Sequence, residues 1–197
     1  MNPAIAALLL RIRALEEELD NELARRRAEL KFTLHAKKVT FDQLVTRQHR
    51  QFRMGLLHYV LGSRPLILLT APVIYSMVLP LLLLDLLFSL YQLICFPVYG
   101  IVKVRRSDYL IFDRNQLAYL NLVERLNCAY CSYGNGVIAY AREIAARTEQ
   151  YWCPIKHARR MQGAHARYPE FVDYGDAEAY RSELAALRPA VREIETP

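Results

Sequence analysis

The dominant pattern in the chain is a run of 38 apolar-rich positions, residues 65 to 102, interrupted by one formal charge at Asp85. One membrane span needs about 20 such residues, so the run is too long for a single ordinary crossing. Two helices just fit if the chain turns near Pro80 to Asp85, where a proline interrupts the helix and a carboxylate can reach water or a partner. The pattern therefore predicts a helical hairpin, either spanning or re-entrant. On that reading Asp85 is a turn residue; the competing reading is a functional intramembrane carboxylate.

The flanking segments read as helices, giving an all-α, membrane-anchored fold. Residues 3 to 34 have no Gly or Pro after Pro3, and Ile5, Leu8, Ile12, Leu15 and Leu19 recur at spacings of three and four. They form one stripe of an amphipathic N-terminal helix. The stripe suits a short coiled coil with a second copy, or packing against the membrane surface or the rest of the chain. Residues 35 to 64 are basic with interspersed Phe41, Leu44, Val45, Phe52, Leu56 and Leu57, the composition of an interfacial amphipathic helix. His35, His49 and His58 fall there and are read as solvated or headgroup-level side chains. Beyond the apolar run, Ser107 is a candidate turn residue or helix cap. Leu117, Leu120, Val123 and Leu126 have helical spacing, Gly134-Asn135-Gly136 reads as a break, and a second helix begins at Val137. The tail is acidic, with a short helix in DAEAYRSELAALRP and a disordered end. The expected organisation is thus 1–64 amphipathic or coiled-coil, 65–102 membrane hairpin, 103–168 small Cys/His helical domain and 169–197 acidic tail.

Charge refines this picture. The chain carries 26 Lys and Arg against 20 Asp and Glu, a net +6, with the excess on both sides of the apolar run. That distribution disfavours a nucleic-acid groove. Lys103, Arg105 and Arg106 read more simply as topology signals beside anionic headgroups, with both termini cytoplasmic. The N-terminal sequence lacks the apolar core and small-residue cleavage site of a secretory signal, in keeping with a cytoplasmic N-terminus.

The candidate chemistry is a Cys/His constellation. Cys128 and Cys131 form C-x2-C, and Cys153 with His157 forms C-x3-H. Positions three or four apart share a helix face, and a break at Gly134-Asn135-Gly136 would let the two helices fold back beside each other. Three thiolates and one imidazole then make a closed tetrahedral site, for which zinc is the expected ion; iron, an iron–sulfur cluster or haem, with Cys153-Pro154 offering an axial thiolate, are the alternatives. The bland reading is that the thiols are small buried hydrophobes. Tyr119, Tyr130, Tyr133, Tyr140, Tyr151 and Trp152 suit an interfacial aromatic belt or a packed shell. No catalytic triad, phosphate loop or dinucleotide fingerprint is visible, so no catalytic residue is assigned.

The stretch from 107 to 158, with SDYLIFDRNQLAYLN, ERLNCAYCSYGNG and EIAARTEQYWCPIKHA, resembles an uncharacterised family of small bacterial membrane proteins. The resemblance covers about a quarter of the chain and brings no activity with it. It implies a bacterial inner-membrane setting. The expected role is a non-enzymatic accessory or scaffold subunit whose partners are the lipid bilayer and other membrane-protein subunits or a homo-oligomer. The competing class is a redox or metal-handling membrane protein.

Overall fold

The computed structural model describes residues 3–29, 32–35 and 38–193. The chain is mainly helical: α1 (Pro3–Glu29), α2 (Gln43–Gln51), α3 (Leu56–Leu61), α4 (Pro65–Ser76), α5 (Val78–Tyr99), α6 (Leu122–Trp152) and α7 (Ala177–Ala190), with two four-residue strands, β1 (Phe32–His35) and β2 (Lys38–Phe41). It divides into two compact units, Met1–Ala71 with Phe112–Ala129 and Pro72–Ile111 with Tyr130–Pro197.

In the first unit the helix expected here is replaced by the antiparallel pairing of β1 with β2, with Phe32 opposite Phe41 and Thr33 opposite Thr40. The aromatic and β-branched residues of both strands favour that outcome over helix. Asp42 then caps α2, its carboxylate accepting from the Leu44 amide at 3.3 Å. The interfacial helix expected over 35–64 is correspondingly broken into α2 and α3. His49 packs edge-on between Phe41 and Tyr119, with centroids at 5.2 and 5.5 Å. A reciprocal capping box opens α6: the Asn121 amide donates to Glu124 at 2.8 Å, and the Glu124 amide donates to the Asn121 side chain at 3.0 Å.

The apolar run does not turn back on itself. Residues Pro65–Tyr99 form one helix long and apolar enough to cross a membrane, with mean hydropathy 2.3 and an uncovered apolar window, marked only by a turn at Met77. This corrects the hairpin, and the reason is local. Pro80 lies in the first turn of α5, where its missing N–H removes no hydrogen bond from that helix. The helix ends instead at Gly100, whose φ of +68° allows a left-handed cap; the Ile101 amide donates to the Phe96 carbonyl at 2.9 Å.

The core of the second unit lies where α5 meets α6. Phe96, Ile101, Val104, Leu110, Val137, Tyr140, Ile144 and Val191 form its buried cluster. The Val102 amide donates to the Val191 carbonyl at 3.4 Å, so the chain just past α7 belongs to this body rather than to a loose tail. The short helix expected in the tail is α7, capped by Asp176 accepting from the Ala179 amide at 2.9 Å. The disordered end expected beyond it falls largely on 194–197, outside the described residues.

Candidate functional site

The polar residues of α5 lie on one face. Asp85, Ser89, Gln92 and the buried Phe96 follow at spacings of three and four, which in a helix makes a single stripe. Asp85 and Gln92 are 8% exposed, whereas Leu86, Leu90, Leu93 and Val98 on the remaining faces are 64, 48, 59 and 76% exposed. A buried carboxylate inside an apolar helix is costly unless paired. Here the segment after Gly100 runs back along α5, and Arg106 grips Asp85 with Nε at 3.0 and 3.2 Å from the two carboxylate oxygens and a terminal nitrogen at 2.6 Å. The Tyr133 hydroxyl donates to the same carboxylate at 3.1 Å. Asp85 is therefore neither at a turn nor reaching for water, and its partner lies 21 residues downstream.

The seam continues along the helix. Ser89 bridges Asp85, at 3.5 Å, and the Tyr140 hydroxyl, at 3.2 Å. Gln92 donates to the Tyr140 hydroxyl and, at 3.2 Å, to the Val104 carbonyl, while its own carbonyl accepts from the Val104 amide at 2.9 Å. Tyr91 and Thr148 share a hydrogen bond at 3.2 Å. Burial and the nearby Asp85 carboxylate push the Tyr133 phenol up, keeping it protonated and a donor. Close approach of the backbones is what Gly136 provides: a Cβ there would sit 2.7 Å from the Tyr109 carbonyl oxygen. At Gly134 a Cβ would meet Leu81 at 3.2 Å.

A second polar cluster fastens the C-terminal segments to α6. Glu143 accepts from Arg147 at 2.8 Å and Arg167 at 2.9 Å, and the buried Arg147 also donates to the Val102 carbonyl at 2.6 Å. Burial pushes the Glu143 carboxyl up, but the two guanidinium groups outweigh it and leave it below its ordinary range. Gln150 donates to the Leu187 carbonyl at 3.1 Å, and His165 lies 2.9 Å from Glu149.

The four expected metal ligands are not gathered by this chain path. Gly134-Asn135-Gly136 is no break: α6 is continuous over 31 residues, and Asn135 donates back to the Cys131 carbonyl at 2.9 Å. Cys128 and Cys131 do lie about one turn apart, but Cys153 follows Cys131 by 22 residues, about 33 Å at helical rise. The His157 ring stacks on Tyr168, its Nδ1 3.3 Å from that hydroxyl. Among the described residues no three His, Cys, Asp or Glu side chains stand close enough to hold an ion. Pro154 is fully buried, and its carbonyl accepts from the Val172 amide at 2.9 Å. Partial desolvation, then the Glu149 carboxylate, push the otherwise exposed Cys153 thiol up, away from the depressed values of reactive cysteines.

Cys153 instead borders an open cavity of about 550 Å³, walled by Leu87, Phe88, Tyr91, Ala145 and Trp152 with Thr148 and Glu149. What the sequence does not reveal is the part that Arg106, Gln92, Tyr133 and Tyr140 play as partners in this seam. The available signal was the three- and four-residue spacing of Asp85, Ser89 and Gln92 inside an otherwise apolar run. Comparison with family models, curated proteins and solved structures finds no match.

Proposed function

We propose that the chain is a membrane-anchored accessory or scaffold subunit, with the Pro65–Tyr99 helix as anchor and the α5–α6 body as the part it holds at the membrane for other membrane-protein subunits. The observation that carries this reading is the division of labour around α5: its polar side chains are spent on one another, on the returning segment at Val104 and Arg106, and on α6, while its leucine faces stay uncovered. An apolar surface of that length is stable in lipid and a liability in water. The charge-free stretch 65–84 has about the 20 residues that one crossing requires. The seam favours a structural over a catalytic role, because Asp85, Ser89, Gln92, Tyr133 and Tyr140 all have partners within it.

Alkaline carbonate extraction of membranes carrying the full chain tests the anchor. The chain is expected in the pellet, and Leu68→Arg with Leu82→Arg is expected to release it. Release of the unaltered chain would overturn the proposal.

A further inference from the structure

Most of the apolar stripe of α1 is uncovered among the described residues: every one from Leu10 to Glu29 is exposed, with Ile12, Leu15 and Leu19 at 50, 63 and 59%. We infer that this stripe is the seam of a parallel two-stranded coiled coil with a second copy of the same chain.

The residue types specify the partner. In the heptad that places Ile5, Ile12 and Leu19 at a, Leu8 and Leu15 occupy d. Isoleucine at a with leucine at d favours two parallel strands. In that register Arg11 is a g position and Glu16 the following e position, so each Arg11 faces Glu16 of the other copy in a parallel pair. The seam is therefore self-complementary in residue type and in this charge pair. It ends after Leu19, because the next d and a positions are Glu22 and Arg26.

Two heptads pair weakly in free solution. The inference rests on the proposed anchoring for its strength: two copies held in one bilayer share an orientation and a raised effective concentration.

The test is disulfide crosslinking of the full chain in phosphatidylethanolamine–phosphatidylglycerol liposomes, with Cys95, Cys128, Cys131 and Cys153 replaced by serine. Ile12→Cys, at a, is expected to crosslink to its own copy at least about tenfold faster than Ala14→Cys, at c, because only the a pair comes within disulfide reach. Adding Leu15→Glu to the Ile12→Cys chain is expected to abolish the product. Equal rates at the two positions, or insensitivity to Leu15→Glu, would overturn the pairing. Failure of the chain to float with the liposomes would contradict the anchoring instead, and crosslinking in solution would then decide the pairing by the same two comparisons.

Discussion

The helices α4 and α5 are built from nearly the same apolar residues yet treat their polar ones differently. In α4 the hydroxyls of Thr70 and Ser76 donate to their own helix, to the Ile67 carbonyl at 2.9 Å and the Val73 carbonyl at 2.7 Å; Tyr130 of α6 reaches only its end, at the Ile74 carbonyl and the Tyr75 ring, and no residue of the helix is buried. In α5, Asp85, Ser89 and Gln92 reach across to Arg106, Tyr140 and Val104, and the face that carries them is the face that packs. The contrast teaches that in a uniformly apolar run the polar side chains, rather than hydrophobicity, select which stretch is buried against protein and which keeps its apolar faces uncovered.

That contrast can be broken from either side. The largest effect is expected at the centre of the seam: Tyr140→Ala removes a fully buried ring and its hydrogen bonds with Ser89 and Gln92, and should cost about 3–5 kcal/mol in detergent unfolding. Leu69→Ala on the bare face of α4, 72% exposed, should stay within about 0.5 kcal/mol in the same assay. Gly136→Ala should cost about 1–3 kcal/mol, because its Cβ must push the Tyr109 carbonyl away; Gly55→Ala, with open space around it, serves as control. A double-mutant cycle of Asp85→Asn with Arg106→Gln should give a coupling of about 1 kcal/mol, moderated by the half-exposed guanidinium. A cycle that sums to zero would detach the ion pair from the seam.

The acid limb sharpens the picture at the other cluster. Glu143 is held below its ordinary value near 4.5, so the stability it contributes is complete above that pH and is lost as pH falls through the depressed folded value. A Glu143→Gln chain should show a shallower loss below pH 4.5 in a denaturation series. The smallest effect is expected at the exposed Cys131, where Cys131→Ser should leave stability within about 0.5 kcal/mol.

How much of this was legible in the sequence depended on whether the deciding contact was local. The apolar run, the stripe of α1 and the short α7 follow from periodicity alone. The hairpin reading failed because it took Pro80 as an interruption and Asp85 as a group seeking water. The first is harmless in an opening turn, and the second is answered by Arg106 from far along the chain. Gly134 and Gly136 look like a break in the sequence, but in α6 they let Leu81 and Tyr109 come close, a requirement that exists only once α5 and the segment after it are packed on α6. The cysteine spacing did place Cys128 and Cys131 about a turn apart; what it left open was the path between Cys131 and Cys153, and continuous helix keeps those two far apart. The strands at 32–41 left a local signal in their Thr, Val and Phe content, masked by the basic residues around them.

The most direct test of the central contrast is quenching of a fluorescent label placed at single cysteines in a liposome-reconstituted, otherwise cysteine-free chain. Labels at Leu69 and Leu83 should be quenched by lipid-attached bromine and protected from aqueous iodide, while a label at the exposed Arg142 of α6 shows the reverse. Iodide quenching at Leu69 and Leu83 as strong as at Arg142 would contradict the account.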